Sequence, residues 1–360
     1  MTIVPKTRLT IVDVAAAAGV SVGAVSLALN DRPGVSAATR ERILVIVRDL
    51  GWAPSHRARA LSTSRAMAIG LVVARTPETL AADPFFAAFL AGVETVLSQR
   101  RQALLLHVVA DRRTEHDSYR RLASDGRVDG VLLIDLHAKD PRPALLAELG
   151  LPAIAVGPDP GKPGELIIAM DDRQGIAAAV HHLVELGHRD IAHVAGPRNL
   201  VHGRSRRAAW AATLRAAGLP LGPCVHSDFS AAGGAAATTQ VLDRNDPPTA
   251  IVYANDLMAI AGMSAAMGRG IDVPGELSVT GFDDSPIAAH LQPPLTTVHS
   301  DVVGWGAAAA RALLDLIDDQ PPRPVPLAAP RLIIRASTAP PRSTSSGGRL
   351  RATALTSKEK

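Results

Sequence analysis

Residues 10–30 read TIVDVAAAAGVSVGAVSLALN, and this stretch decides the fold of the N-terminal part of the chain. Thr10 and Asp13 have the spacing of a capping box, which predicts that a helix begins directly after Thr10. Gly19 is typical of a helix end, and Ser21 is a favourable N-cap for a second helix. The stretch therefore predicts two short helices that are joined by a tight turn.

A third helix is predicted to begin after Ser36 and to run to about Leu50, where Gly51 stops it. Ile43, Val47 and Leu50 recur at helical spacing and are expected to face the other two helices. Three short helices with a tight turn between the first two form the helix-turn-helix arrangement. The second helix of that arrangement lies in the major groove of DNA.

A different pattern begins at Met67, where short apolar runs alternate with amphipathic helical segments. Such alternation is typical of parallel sheets covered by helices on both faces. The predicted strands are residues 68–73, 103–109, 128–136, 152–156, 191–195, 249–253 and 277–282. The length of this region favours two lobes, with the main crossing between them near residue 160. Segments 301–319 and 331–335 are predicted to return to the first lobe.

In these features the chain resembles the LacI/GalR family of bacterial transcription regulators. The resemblance covers roughly residues 9–338, and in the head it is carried by TIVDVA at 10–15, AGVS at 18–21, VS at 25–26, LN at 29–30, VS at 35–36, TR at 39–40 and LG at 50–51. It implies a small all-α helix-turn-helix head and an α/β two-lobed periplasmic-binding-protein-like domain with parallel doubly wound sheets. The implied parts are a head (1–52), a hinge helix or linker (53–66), an effector-binding and dimerisation domain (67–338) and a disordered basic tail (339–360).

The second helix is the predicted DNA-reading element. The resemblance places Val22, Gly23 and Leu27 at base-edge positions, where the family more often carries polar or basic residues. Apolar side chains contact thymine methyl groups but make no bidentate hydrogen bonds to guanine, so phosphate contacts should supply more of the affinity. A core position is the alternative for Val22 and Leu27. The predicted DNA-binding residues of the head are Thr10, Ser21, Val22, Gly23, Ser26, Leu27 and Asn30.

The segment after the head reads APSHRARAL at residues 53–61, and Pro54 is typical of a helix start. The resemblance implies a hinge helix that orders on the operator and pairs with its symmetry mate in the minor groove. Leu61 then matches the family's wedge leucine, which opens a base step and kinks the DNA. Arg57 and Arg59 are expected to face phosphates. A plain linker with one buried leucine is the alternative.

The two-lobed region is predicted to bind a small molecule, because ligands of open α/β sheets bind beyond the carboxyl ends of the strands. The resemblance identifies Arg206, Asn255 and Asp283 as residues that hydrogen-bond the effector. A guanidinium, an amide and a carboxylate each bond two neighbouring hydroxyls of a sugar. The predicted effector-binding residues are Phe85, Phe86, Asp171, Arg206, Phe229, Asn255 and Asp283.

Several alternatives remain for this cleft. Core packing is the alternative role for Phe85 and Phe86, and a helix N-cap is the alternative role for Asp283. Family members respond to sugars or to purines, and the pair Asn255-Asp256 favours a sugar or sugar derivative. We also expect a homodimer on a pseudo-palindromic operator in double-stranded DNA, with pairing of dimers into tetramers left open.

Charge and composition narrow the remaining classes of function. Residues 1–66 carry a net charge of +5 and residues 340–360 a net charge of +4, while the region between them carries −5. Basic ends on an acidic body favour contact with a polyanion such as DNA. The single cysteine, Cys224, and the scattered histidines predict neither a disulfide nor a metal site.

No nucleophile–base set is apparent, so we predict a protein that is not an enzyme and uses no cofactor. A single cysteine is typical of a reducing compartment, and we predict a cytoplasmic, nucleoid-associated protein. The apolar stretch from Leu9 to Leu29 is interrupted by Asp13, which disfavours a signal peptide or a membrane span. The rival interpretation is an exported solute-binding protein of a transport system, which would share the two-lobed body. It would leave the N-terminal helices unexplained.

The wedge assignment makes a testable prediction. The variant Leu61→Ala should lose far more affinity for the operator than for non-specific DNA, because a wedge acts only where the DNA can kink. Binding titrations against an operator duplex and a scrambled duplex at the same salt concentration measure both losses. Equal losses on the two duplexes would contradict the wedge role.

Overall fold

The computed structural model describes residues 9–52, 65–158 and 167–342. Its N-terminal head contains the predicted helices, namely α1 (Ile11–Ala18), α2 (Val22–Leu29) and α3 (Ala37–Asp49). Val14, Val25 and Ile43 bury their side chains completely where the three helices meet. The indole N–H of Trp52 donates to the carbonyl of Leu9 (3.0 Å), which ties the end of the head to its beginning.

Helices α1 and α2 together are apolar enough to resemble a membrane span, but they meet at an angle of 101°. In the ranges that the structure describes, no single helix is long and apolar enough to cross a membrane. The apolar faces of both helices pack instead in the small core of the head.

The first lobe contains a parallel five-stranded sheet with the strand order β2-β1-β3-β4-β5. Its elements are β1 (Ala68–Ala74), α4 (Pro77–Ala82), α5 (Pro84–Arg100), β2 (Ala103–Val109), α6 (Arg112–Ser124), β3 (Gly130–Leu133), α7 (Arg142–Glu148), β4 (Ala153–Gly157) and β5 (Ile167–Ala169). The predicted strand 128–136 is too long, because β3 ends at Leu133 and the chain then turns through Asp135 with a left-handed φ of 51°.

The second lobe contains a parallel four-stranded sheet with the strand order β7-β6-β8-β9. Its elements are α8 (Asp172–Glu185), β6 (Ile191–Ala195), α9 (Val201–Ala216), β7 (Cys224–His226), α10 (Ala231–Leu242), β8 (Ala250–Tyr253), α11 (Asp256–Gly268), β9 (Ser278–Thr280) and a 3₁₀ helix (Pro286–His290). Both sheets thus have the predicted doubly wound, parallel architecture.

The first crossing between the lobes comes later than the predicted residue 160. Strand β5 still pairs with β4 in the first lobe, whereas α8 packs against β8 in the second lobe. The chain therefore passes between the lobes at Met170 and Asp171. Residue 160 itself lies outside the described residues.

The C-terminal part of the body returns to the first lobe only in part. Helix α12 (Val302–Ile317) packs against α5 in the first lobe, as predicted. The prediction is wrong for the run 331–335, because β11 (Arg331–Ile333) pairs antiparallel with β10 (Thr297–His299) and contacts α8 of the second lobe. Backbone pairing with β10 therefore holds this run on the second lobe.

The prediction of a disordered tail over 339–360 is wrong for its first four residues, which are bonded to the second lobe. The hydroxyl of Ser278 donates to the carbonyl of Ala339 (3.0 Å), and the backbone N–H of Ala339 donates to the same hydroxyl (3.0 Å). Arg342 forms an ion pair with Asp272 (3.1 Å). Residues 339–342 therefore belong to the second lobe, while residues 343–360 lie outside the described residues.

Two glycines allow α5 and α12 to approach until their backbones touch. A Cβ atom added at Gly92 would lie 2.0 Å from the carbonyl oxygen of Val303, and one at Gly306 would lie 2.2 Å from that of Phe89. Both obstacles are backbone atoms, which have little room to give way. This close approach anchors the returning helix to the first lobe.

The helix crossing makes the second prediction. The variant Gly306→Ala should lose about 1–3 kcal/mol of stability, because its methyl group must push α12 away from α5. The matched control is Gly268→Ala at the end of α11, where an added Cβ meets nothing within 4 Å and should be neutral or stabilising. Thermal melts of both variants test this, and a Gly306→Ala protein that melts with the control would contradict the account of the crossing.

Candidate functional site

The outer face of α2 carries the residues predicted to read DNA. Val22 is 41% exposed, and Ser21 and Gly23 are exposed beside it, whereas Val25 and Ala28 point into the core. The hydroxyl of Ser21 accepts the backbone N–H of Ala24 (3.1 Å), so this residue also caps the helix. The exposure of Val22 therefore contradicts the alternative role of this residue in the core.

Leu27, Thr10 and Asn30 have additional contacts within the head. Leu27 is half-buried and lies against Gly34 in the loop after α2, outside the head's main core cluster. The backbone N–H and hydroxyl of Thr10 both donate to Asp13 (2.7 and 2.8 Å). The amide of Asn30 donates to the carbonyl of Ser26 (2.9 Å). The remaining predicted DNA contacts, Arg57, Arg59 and Leu61, lie outside the described residues.

A narrow cavity lies between the lobes, at the carboxyl ends of both sheets. The first lobe contributes Arg75, Asp83, Phe85, Ile134, Asp135, Val156, Gly157 and Pro158, and beyond the crossing come Met170, His202, Arg206, Phe229, Asn255 and Asp283. Its volume is only about 50 Å³, whereas pockets for small molecules usually measure about 300–1,000 Å³. The lobes are thus closed, and a sugar-sized ligand needs them to separate before it enters.

Arg206, on α9, is the most completely anchored of the predicted effector residues. Its Nε donates to Asp172 (2.9 Å) and its Nη1 donates to the carbonyl of Ala254 (2.5 Å). The central carbon of its guanidinium also lies over the ring of Phe282, 3.8 Å from the ring centre. These contacts fix the plane of the guanidinium and leave Nη2 without a hydrogen-bond partner among the described residues.

Asp283 and Asn255 follow neighbouring strands of the second lobe. The Asp283 carboxylate accepts no hydrogen bond from the described residues, so the alternative role as a helix N-cap does not apply. Burial raises the pKa of Asp283 well above its usual value, although Arg206 opposes the shift. Asn255 caps α11 by accepting from Met258 N (3.0 Å) and donates to the carbonyl of Phe229 (3.1 Å). One amide hydrogen of Asn255 remains for a ligand.

Arg75 and Asp135 are cavity residues that the sequence analysis missed. Arg75 Nε and Nη2 donate to the two carboxylate oxygens of Asp135 (2.7 and 2.8 Å), and Nη1 donates to Asp83 (3.1 Å). Burial favours neutral acids here, yet the Arg75 guanidinium lowers the pKa of Asp135, whereas burial raises the pKa of Asp83. The rule that sites follow strand ends would have found Asp135 if β3 had been predicted to end at Leu133.

An aromatic surface covers part of the second-lobe wall. The rings of His202 and Phe229 stack with centres 5.2 Å apart. Burial lowers the pKa of His202 to about 4, so its imidazole is neutral at pH 7. A neutral imidazole stacked on a phenyl ring presents an apolar face with polar edges.

Two predicted effector residues lie apart from the cavity. Phe86 is 3% exposed and packs in the core of the first lobe, beneath the guanidinium of Arg75 (4.9 Å). Asp171 caps α8, pairs with Arg173 (2.8 Å) and lines a separate, more open hollow. Phe85, Arg206, Phe229, Asn255 and Asp283 do line the cavity. Across the described part of the chain, no three His, Cys, Asp or Glu side chains are grouped to hold a metal ion.

Two family models match the chain. Residues 10–55 match the model described as "Bacterial regulatory proteins, lacI family". Residues 180–338 match the model of a periplasmic binding protein-like domain. The first match covers the helix-turn-helix head, and the second match covers most of the second lobe and the returning C-terminal segments.

Known proteins resemble the chain over nearly its whole length. The HTH-type transcriptional regulator CelR of Thermobifida fusca is 36% identical over 326 residues, which is 89% of this chain and 96% of that protein. The structure of a CelR–cellobiose complex matches with a TM-score of 0.71 at 35% identity, covering 92% of this chain and all of that one. A Lac repressor dimer bound to operator and the anti-inducer ONPF matches with a TM-score of 0.80 at 29% identity and the same coverage.

The unpartnered carboxylate of Asp283 makes the third prediction. The variant Asp283→Asn should melt at a higher temperature than the wild type at pH 7, because burial disfavours the charged carboxylate. An acid with a raised native pKa destabilises the fold above its unfolded pKa, so the gain should disappear as the pH falls towards about 4. Thermal melts between pH 4 and 8 measure this dependence.

The neighbouring Asp284 supplies the control. It pairs with Arg335 (2.6 Å) and His299 (3.0 Å), so Asp284→Asn should lower the melting temperature at pH 7. If both variants melt below the wild type at pH 7, the Asp283 carboxylate is not held at a cost in the ligand-free protein.

Proposed function

Because the chain belongs to the LacI family of bacterial transcription regulators, we propose that it is a repressor controlled by a carbohydrate in the interlobe cavity. The observation that carries this proposal is that polar groups with free hydrogen-bonding capacity line the same cavity as an aromatic ring. Arg206 Nη2, the Asp283 carboxylate and one Asn255 hydrogen lack partners in the described structure, and all three residues line the cavity with Phe229. A sugar ring offers hydroxyls to such groups and its apolar face to an aromatic ring.

The charge of the cavity favours a neutral ligand over a phosphorylated one. Asp83, Asp135 and Asp283 line it together with Arg75 and Arg206. Arg75 is already engaged by two of the carboxylates, and Arg206 is engaged by Asp172. An added phosphate would therefore find both guanidinium groups of the cavity already paired with carboxylates, and its own burial would cost free energy without a new counter-ion. Cellobiose, the ligand in the CelR complex, is a neutral sugar and is consistent with this class.

On DNA, we infer that two copies of the chain place their α2 helices in successive major grooves of a pseudo-palindromic operator. The structurally similar Lac repressor is a dimer on its operator, which supports this arrangement. The exposed Val22 offers a contact to a thymine methyl group but no bidentate hydrogen bond. We propose that the protein acts in the cytoplasm and leaves its ligand chemically unchanged, as a regulator requires.

The domain limits also remain part of the proposal. We place the head at 1–52, the hinge helix at 53–66 with Leu61 as a wedge, and the effector-binding domain from residue 67. The predicted phosphate contacts Arg57 and Arg59 belong to that hinge. The ion pair between Arg342 and Asp272 extends the effector-binding domain to Arg342. The exported solute-binding alternative is set aside, because the relatives that match along this chain are transcription regulators.

Arg206 makes the fourth prediction. A panel of neutral mono- and disaccharides, their phosphates and purines is titrated by calorimetry, and any binder is added to an operator-binding assay. The proposal predicts that a neutral saccharide binds and changes operator affinity in the wild type. Arg206→Ala should abolish that response but leave operator binding in the absence of ligand intact.

Loss of Arg206 also leaves the buried carboxylate of Asp172 without its ion-pair partner, which destabilises the fold. A second variant separates this loss of stability from the loss of ligand response. The double variant Arg206→Ala/Asp172→Asn removes the charge that would be left unpaired. It should fold normally and still fail to respond. A response that survives in the double variant would remove Arg206 from the site, and binding of purines alone would overturn the carbohydrate assignment.

A further inference from the structure

The helix that carries Arg206 lacks a side-chain cap of its own. Leu200 occupies the N-cap position of α9, and its side chain has no polar atom that could accept a hydrogen bond. At the same position, Ser230 caps α10 and Asn255 caps α11 with side-chain oxygens. The first N–H groups of a helix have no partner inside the helix and need one elsewhere. For α9 that partner comes from the other lobe.

The backbone N–H of Val201, the first residue of α9, donates to the carbonyl of Leu136 in the first lobe (2.8 Å). His137 and Leu200 form an isolated antiparallel bridge beside this bond. The Val201 side chain also packs against the first-lobe core cluster that includes Leu136. The start of an effector-binding helix in one lobe is thus fastened to a loop of the other.

Buried charges hold that loop in position. Arg142 Nη2 donates to the carbonyls of Ile134 (3.0 Å) and Asp135 (3.1 Å). Arg142 also pairs with Glu115 (2.7 Å) and Asp140 (2.7 Å), and its side chain is only 2% exposed. Asp140 in turn accepts the backbone N–H of His137 (3.1 Å). The loop from residue 134 to 140 is therefore held at both ends.

The same loop serves the cavity. Asp135, with its left-handed backbone, directs its carboxylate to Arg75 inside the cavity, and the next residue directs its carbonyl to Val201. We infer that the Leu136–Val201 bond is an interlobe cap that stabilises the closed, ligand-free form, and that Arg142 is its positioning residue. Opening the lobes breaks the bond and leaves the first N–H of α9 to water.

A proline substitution removes this bond and also pushes the Leu136 carbonyl away, because the proline Cδ takes the place of the amide hydrogen that points at that oxygen. Val201→Pro deletes the N–H, and the first helical position tolerates proline because its N–H has no partner within the helix. Leu200 already has the extended backbone that a following proline requires (φ −88°, ψ 137°). Val201→Ala keeps the N–H and controls for the loss of the side chain. Ala231→Pro places proline at the same position of α10, where the structure shows no interlobe contact.

The ligand arm of the test rests on the proposed function and is the fifth prediction. With the saccharide that binds the full-length wild type best, Val201→Pro should bind about three- to tenfold more tightly than Val201→Ala, because the lost hydrogen bond stabilises a ligand-free form whose cavity of about 50 Å³ is too small for a sugar. Ala231→Pro should bind like the wild type. Equal affinities of Val201→Pro and Val201→Ala would overturn the interlobe cap.

A second measurement needs no ligand and so separates this inference from the proposed function. In the ligand-free wild type, hydrogen exchange at the Val201 amide should be about tenfold slower or more than at the Ala231 amide, since both are first-turn amides and only one is bonded. Equal rates would overturn the inference whatever the effector is. Slow exchange at Val201 in a protein that binds no saccharide would support the cap and reject the carbohydrate assignment.

Discussion

The first-lobe half of the interlobe site depends on one buried guanidinium. Arg142 has two carboxylate partners, Glu115 and Asp140, and also hydrogen-bonds the backbone at the end of β3. Its pKa is raised, because these hydrogen bonds and charges outweigh the burial that disfavours a cation. A buried ion cluster is weak evidence for stability, since apolar residues can fill the same volume at no greater cost. Its consequence here is geometric, because it sets where Asp135 and Leu136 lie.

The second lobe fixes its half of the site by a different route. Arg206 lies on Phe282 and is bonded to Asp172 and to the carbonyl of Ala254, so three neighbouring segments hold it. Asp283, by contrast, accepts no hydrogen bond from the residues that the structure describes, and its pKa is raised by burial. Ionisation of the buried Asp283 carboxylate costs free energy as long as no group donates a hydrogen bond to it, and ligand hydroxyls can supply such bonds. Ligand binding and lobe closure are expected to be coupled for this reason.

The head depends on neither lobe for its local order. Its helices are started by Ser21 and Ser36 and stopped near Gly19 and Gly51, and they enclose a small core of their own. These are interactions between residues close in sequence, so the pattern of residues 10–51 is enough to predict them. Affinity for DNA and response to a ligand therefore reside in parts that fold by separate contacts, with the hinge segment between them.

What the sequence determined by itself was local or periodic. Capping residues placed the helices of the head, alternating apolar runs placed the parallel sheets, and strand ends pointed to Phe229, Asn255 and Asp283. The tertiary structure alone decided the rest. Asp171 lies outside the cavity because it caps α8, and Phe86 because it packs in the core of the first lobe. Strand β11 lies on the second lobe because its backbone pairs with β10. Arg75 meets Asp135 because β1 and β3 are neighbours in the first-lobe sheet, whereas Leu136 caps α9 because the two lobes meet there. Both pairs are far apart in sequence, so no local pattern encodes them.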